Sequence, residues 1–140
     1  MKLKHARGFT LLELLIVMTL LAVIGGFLFK GLSDRGDDAS ARAAKTHMNV
    51  IGQALDLYKL DVGRYPTTSE GLNALITAPG GVQGWAGPYL KGERAVPKDP
   101  WKNDYRYTSP GAAAPYEIVS LGADGREGGD GAGKDISSVN

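Results

Sequence analysis

With 140 residues, the chain has room for one compact domain with a modest core and none for a large two-domain enzyme. Its 16 Lys and Arg against 15 Asp and Glu leave a formal charge of +1, so no bulk electrostatic attraction points to nucleic acid or another polyanion as partner. The absence of Cys excludes a disulfide scaffold, a thiolate metal site, an Fe–S cluster and a Cys nucleophile. The near-neutral total hides a sorted distribution. Lys2, Lys4 and Arg7 precede a hydrophobic run, whereas Asp124, Glu127, Asp130 and Asp135 outnumber Arg126 and Lys134 near the other end. Of 20 glycines, 14 lie from Gly63 onward, which predicts a turn-rich second half.

The run from Phe9 to Phe29 carries one charge, Glu13, over 21 residues, and as a helix at about 1.5 Å per residue it matches a bilayer core. A secretory signal has a shorter apolar region followed closely by a small-residue cleavage site, and no good A-x-A pattern follows directly on Phe29, so the segment is expected to remain in the mature protein. Basic residues ahead of it predict a cytoplasmic N-terminus, with everything past Lys30 on the other side. Its Leu, Ile, Val and Phe residues favour insertion by about 4 to 8 kcal/mol against a cost of about 2.5 to 3.5 for an acidic side chain at mid-bilayer. Insertion therefore survives Glu13, but an unpaired carboxylate there calls for a cation that the span does not supply. The alternative is a carboxyl close enough to the interface to snorkel or to stay protonated.

Past the span, Ser33-Asp34-Arg35-Gly36-Asp37-Asp38 either caps a second helical segment or bends a continuous helix. Ala44, Met48, Ile51, Leu55, Tyr58 and Val62 then recur at intervals of three and four, which predicts an amphipathic helix ending at Gly63 whose apolar side needs a sheet to cover it. His47 has no second His, Cys or carboxylate cluster nearby in sequence and reads as a helix-surface residue. Thr67 with Glu70 three residues on predicts a capping box for a short helix carrying Leu72, Leu75 and Ile76, stopped by Pro79. The Gly-rich stretch from Pro79 to Pro97 predicts an irregular loop pinned by Trp85, Tyr89 and Leu90. After an Asp99-Pro100-Trp101 turn, residues 105–108 and 116–120 read as two antiparallel strands packed on the long helix.

The last motif is the acidic, glycine-rich stretch from Leu121 to Asp135. Hard cations such as Ca²⁺ take six to eight oxygen ligands, and glycines let backbone carbonyls turn inward beside carboxylates. It is not an EF-hand, because Arg126 and Gly128 occupy acceptor positions and no Glu closes the loop. Gly128 to Lys134 fits G-x-x-x-x-G-K, but Asp135 follows where a phosphate loop needs Ser or Thr. A solvated loop with no metal is the alternative. No converging set of acid, base and nucleophile is present, so catalysis is not expected.

Two sets of residues carry a resemblance. Lys2, Lys4, His5, Arg7 and Gly8 followed by Phe9-Thr10-Leu11-Leu12-Glu13 resemble the signal of type IV prepilins and pseudopilins. The order of long helix, Tyr65-Pro66 turn, Glu70-Gly71-Leu72, Asp99-Pro100-Trp101 with Asn103 and Tyr105, and Ser120-Leu121-Gly122-Ala123-Asp124-Gly125 is similar to the major-pseudopilin family of type II secretion over nearly the whole chain. The resemblance implies an α+β, pilin-like fold: a long N-terminal helix, transmembrane and then amphipathic, on a small antiparallel sheet with a calcium-stabilised C-terminal loop. It implies a leader at 1–8, a transmembrane and polymerisation helix at 9–30 and a periplasmic domain at 31–140.

The same resemblance implies cleavage between Gly8 and Phe9 by the prepilin peptidase and methylation of the Phe9 amine. That amine would answer Glu13 of a neighbouring copy in a helical homopolymer that drives export of folded proteins. Implied partners are further copies of the chain, minor pseudopilins, the peptidase, the inner-membrane secretion platform and membrane lipid, with no nucleic acid. The implied location is the inner membrane, single-pass, and a periplasmic pseudopilus of a Gram-negative bacterium. For one structural Ca²⁺ it implies the side chains of Asp124 and Asp135 and the carbonyls of Leu121 and Arg126. Asp130 stands one position ahead of a frequent acidic site, where this chain has Gly131, and direct ligation, ligation through water and no role stay open for it. Lys30 stands where pilin-like helices frequently carry Pro, so a kink would have to come from Gly25, Gly26 or Gly31. Two other classes remain: a non-polymerising, membrane-tethered calcium module, separated by the absence of leader processing, and an adhesive or DNA-uptake pilin, disfavoured by the missing cysteines.

Overall fold

The computed structural model describes residues 8–139, with 30–35 described by backbone alone. The basic leader residues Lys2, Lys4, His5 and Arg7 lie outside the described residues, as do the side chains of Lys30, Ser33, Asp34 and Arg35. The element order is one long helix, α1 (Leu11–Val62), then β1 (Arg106–Thr108), β2 (Glu117–Ser120) and β3 (Ile136–Ser137), with short 3₁₀ helices at Leu72–Leu75 and Gly131–Gly133. The chain divides into two compact units, Met1–Gly36 and Asp37–Asn140. The helix assignment runs without a break through Gly25, Gly26 and the 33–38 stretch, so the polar residues there do not begin a separate helix.

In the second unit, the three-and-four spacing of α1 becomes a buried stripe. Ala44, Met48, Ile51, Leu55 and Tyr58 are all 0–2 % exposed, and Val62 packs at the edge of the core. Intervening residues Lys45, Asn49, Gln53, Asp56 and Lys59 are exposed, as the amphipathic pattern demands. The helix stops at Gly63, whose φ of 86° is a conformation that L side chains resist and whose N–H closes the last turn on the Lys59 carbonyl at 2.8 Å.

The sheet that covers this stripe is small, antiparallel and ordered β1-β2-β3. Tyr107 faces Ile118, Arg106 faces Val119 and Thr108 faces Glu117, which turns buried Tyr107 and Ile118 to the same side. The expected strands at 105–108 and 116–120 are each shorter by one residue at the start. The third strand escaped the sequence pattern, because two residues cannot show an alternation; it is held by Val119 opposite Ser137 and Ser120 opposite Ile136, and by the Ser138 N–H on the Ile118 carbonyl at 2.9 Å.

The loop from Pro79 to Pro97 is pinned by the aromatic residues expected to hold it. Trp85 donates from Nε1 to the Ala74 carbonyl at 2.8 Å, Tyr89 donates its hydroxyl to Asp61 at 2.9 Å, and Leu90 is buried. Tyr89 also meets Tyr58 edge-on, with ring centroids 5.6 Å apart. His47 differs from its expected place on an open surface. It is half-buried beside Val50, Ala54, Leu57, Tyr89, Leu90 and Pro97, around a cavity of about 440 Å³.

The capping box forms, but it closes a turn instead of a helix. Glu70 accepts from the Thr67 N–H at 2.7 Å, and the Glu70 N–H donates to Thr67 Oγ1 at 3.2 Å. The 3₁₀ helix begins only at Leu72, and Ile76 lies just past its end. Arg64 fills out this turn with a bidentate pair to Glu70, at 2.6 and 2.7 Å. Arg64 first, and the Thr67 N–H after it, hold the Glu70 carboxyl down at about 2 against an ordinary 4.5. A carboxylate depressed on folding stabilises the fold above its unfolded pKa, and that contribution fades as pH falls from about 4.5 towards 2. Glu70→Ala should therefore cost about 1 kcal/mol at pH 7, a value kept small by solvent screening around Arg64. Acid unfolding followed by circular dichroism should show the gap narrowing from about pH 4.5 and closing only below the folded pKa of about 2; a gap unchanged between pH 7 and pH 2 would place the effect in packing.

Candidate assembly and cation sites

The first site is the apolar segment of the first unit. Among the described residues, Leu11–Phe29 is the one helical stretch long and apolar enough to cross a membrane, and none of it is buried. Leu11 is 90 % exposed and Phe29 77 %, with the intervening large apolar side chains exposed on every side of the helix. So much uncovered hydrocarbon has no stable existence in water, and none of the described residues provides cover.

Gly8 and Phe9 precede the helix, both exposed and outside its hydrogen-bonded turns. Glu13 has a relation that the sequence reading missed. Its carboxylate accepts from the Thr10 N–H at 3.5 Å, while its own N–H donates to Thr10 Oγ1 at 3.2 Å. This is a capping box opening α1, and Thr10-Leu11-Leu12-Glu13 carries its signature. Glu13 therefore sits at the start of the apolar helix with a neutral N–H donor from its own chain, which is not the cation that its charge calls for. The carboxylate contact is long and exposed, so it orients more than it neutralises.

The second site is the loop between β2 and β3. Asp124 Oδ1 accepts from the Arg126 N–H at 3.1 Å, and Asp135 Oδ2 accepts from the Gly128 N–H at 3.0 Å. The loop closes where the Ala123 N–H meets the Ala132 carbonyl at 2.8 Å. Gly129 shows how tightly: at φ 80°, a Cβ there would lie 2.5 Å from the Gly133 carbonyl oxygen and 3.0 Å from the Asp124 carboxylate. The fold thus brings Asp124 against Gly129 and Gly133. Asp135 Oδ1 is buried with no hydrogen-bond partner. Leu121 is half-buried, whereas Arg126 and Asp130 are exposed, and the Asp130 side chain caps nothing on the 3₁₀ helix it precedes.

Among the described residues, no three His, Cys, Asp or Glu side chains gather as a metal cluster. A cation held here would take two carboxylates and fill its shell with main-chain carbonyls or water. That donor set suits a hard ion of the calcium type and does not suit zinc.

The loop is anchored by a buried carboxylate. Asp99 is 4 % exposed. Its Oδ1 accepts from the N–H groups of Trp101 and Asn103 at 3.0 and 2.8 Å, and its Oδ2 accepts from the Ser120 hydroxyl at 2.6 Å. Burial first, and the Asp99 charge after it, push the neighbouring Tyr105 phenol upward. Arg106 on β1 adds an ion pair with Glu127. The Asp-Pro-Trp segment was legible as a turn, but its bond to Ser120 depends on strand register.

These features can be set beside known proteins. Residues 3–29 match the prokaryotic N-terminal methylation motif, which places the chain in the class of membrane-anchored subunits that carry a prepilin-type N-terminus. Residues 32–139 match the family "Type II secretion system (T2SS), protein G", and the chain belongs to that family, the major pseudopilins of type II secretion. It is 42 % identical to the type II secretion system core protein G of Vibrio cholerae serotype O1, over 99 % of this chain and 95 % of that one. To the Pseudomonas aeruginosa core protein G it is 39 % identical, over 99 % and 98 %. The crystal structure of the major pseudopilin from the type 2 secretion system of enterohaemorrhagic Escherichia coli superposes with a TM-score of 0.62 at 33 % identity, covering 76 % of this chain and 91 % of that one. The pilin-like α+β fold and the function of a major pseudopilin, a structural subunit that assembles with itself and with other secretion components, thus stand together.

Asp99→Ala should lower stability by about 3 kcal/mol, because it strands the Ser120 hydroxyl and two main-chain N–H groups in or near the core. Ser120→Ala should cost less. Equal losses in urea unfolding would contradict the central place of Asp99.

Proposed function

We propose that the subunit is processed between Gly8 and Phe9 by the prepilin peptidase, methylated at Phe9 and stored in the inner membrane with residues 31–140 in the periplasm. From there it stacks through residues 9–30 into a helical pseudopilus that pushes folded proteins outward. The observation that carries this reading is the wholly uncovered apolar helix Leu11–Phe29 with Glu13 at its start. Lipid covers that surface in the stored state and neighbouring copies cover it in the filament. A charge pair between Glu13 of one copy and the Phe9 amine of another would set the register, since opposite charges in a low-dielectric setting gain most by meeting. The minor pseudopilins and the inner-membrane platform are the remaining partners in this reading. The chain carries out no catalysis in it.

We further propose that the 121–135 loop holds one structural Ca²⁺, with Asp124 and Asp135 as carboxylate ligands and the carbonyls of Leu121 and Arg126 completing the set. The partnerless, buried Asp135 Oδ1 supports it, and so does the meeting of Asp124 with a glycine-rich backbone. Exposed Asp130 would reach the ion through water or not at all. When bound, the ion supplies positive charge that offsets the carboxylates of Asp124 and Asp135 and ties β2 to β3.

Mass spectrometry of membrane-extracted protein should report loss of the first eight residues together with one added methyl group. Glu13→Val should remain inserted and processed yet form few filaments by electron microscopy, and normal filaments from that variant would remove the pairing. For the loop, Asp124→Ala should melt lower than the parent protein in calcium and nearly level with it in chelator. Equal melting of the two proteins in both conditions would remove the ion.

A further inference from the structure

The route by which the core reaches the 121–135 loop runs through a side chain to which neither the loop nor the core motif had assigned a role. Asn103 sits half-buried just before β1. Its main chain is locked at both ends by Asp99: the Asn103 N–H donates to Asp99 Oδ1 at 2.8 Å, and the Asp99 N–H donates to the Asn103 carbonyl at 2.9 Å. Its side chain then points away from that turn and donates from Nδ2 to the Gly122 carbonyl at 2.9 Å. The same amide lies beneath Gly125, where a Cβ would meet Asn103 Oδ1 at 3.5 Å. Gly122 and Gly125 bracket Asp124.

A second arm from the same carboxylate reaches the same residue. Ser120 donates to Asp99 Oδ2 at 2.6 Å, and its Oγ receives the Gly122 N–H at 3.4 Å. Both polar groups of Gly122 are thereby fixed by groups that hang on buried Asp99. Of the two arms, the Ser120 contact on Gly122 is near the limit of a hydrogen bond and the Asn103 contact is well within it.

We propose that Asn103 is a positioning residue for the cation loop: by gripping the Gly122 carbonyl and underlying Gly125, it presents the Leu121 carbonyl and the Asp124 carboxylate to the ion before the ion arrives. The inference rests on the calcium reading given above for its effect on affinity, but the ordering of the loop does not depend on it. Partners that orient metal ligands typically change metal affinity by 10- to 100-fold when removed. A preorganised loop binds more tightly because less chain entropy is lost on binding.

The test uses the full chain in detergent, with Asn103→Ala and with Asn103→Leu, which keeps the bulk beneath Gly125 and loses the donor. Calcium titration by isothermal calorimetry should show binding about 10-fold weaker in both variants, while melting in chelator falls by no more than about 3 °C. Hydrogen-exchange mass spectrometry in chelator should show faster exchange in the peptide covering 121–135 and unchanged exchange in α1. Unchanged loop exchange would overturn the proposal, as would wild-type calcium affinity in both variants. A large drop of melting in chelator with exchange raised throughout would do the same, by making Asn103 a general stabiliser. If the unsubstituted protein took up no calcium, the ion reading would fail by itself, and faster loop exchange in the variants would still support the ordering role.

Discussion

The second unit rests on the stripe from Ala44 to Tyr58 finding cover. A helix with six core residues almost wholly excluded from solvent cannot hold that state alone, and the first 3₁₀ helix, the pinned loop and the sheet close over it. Leu72 and Leu75 come from the 3₁₀ helix, Leu90 from the pinned loop, and Tyr105, Tyr107 and Ile118 from the sheet and its approach. The sheet has only nine residues in its three strands, too few to be stable by itself. Sheet and helix each lack what the other supplies.

The same helix assignment carries a second apolar stretch with the opposite fate. Between Leu11 and Phe29 the hydrophobic residues have no periodicity that would leave a polar face, and none of the described residues buries them. One pattern is the signature of a helix that packs on its own domain, the other of a helix whose surroundings must be apolar all round. A single continuous element thus encodes one face for a packed core and a demand for lipid or neighbours. That division of labour is what a stored and then assembled subunit requires.

Short-range patterns are legible in the sequence, and contacts between distant segments are not. The α1 stripe, its stop at Gly63 and the Thr67–Glu70 box each rest on residues within a few positions of one another, so spacing alone reveals them. The strands at 106–108 and 117–120 were found to within a residue because aromatic and β-branched side chains cluster there. Ile136–Ser137 was missed because its pairing comes from β2, not from its own composition. The grip of Asp99 on Ser120 spans 21 positions and was equally hidden. Asp124 and Asp135 were singled out by composition and resemblance. What places Asp124 beside Gly129 and Gly133 is a turn whose glycines had been read only as permissive. Thr10–Glu13 is the reverse case: its capping signature lies within four consecutive residues, but the charge of Glu13 points to a cation and not to a local N–H donor.

That local donor bears on how assembly could proceed. An exposed capping contact of 3.5 Å is worth a few tenths of a kcal/mol to about 1, far less than an ion pair closed away from water. It is therefore weak enough to be exchanged for a neighbour's amine and strong enough to keep the carboxylate turned towards the start of the helix meanwhile. Removing the leader at Gly8 would place a new positive charge one residue before Thr10, on the same end of the same helix. In the proposed assembly, the acid and the amine then lie at one end of each rod, and a pair between two copies requires only a small axial offset between neighbours. A carboxylate deeper in the span would need a larger offset and would meet hydrocarbon on the way. In that proposed pairing, the placement of Glu13 at the beginning of α1 would limit both the desolvation before the charges meet and the stagger needed to bring them together.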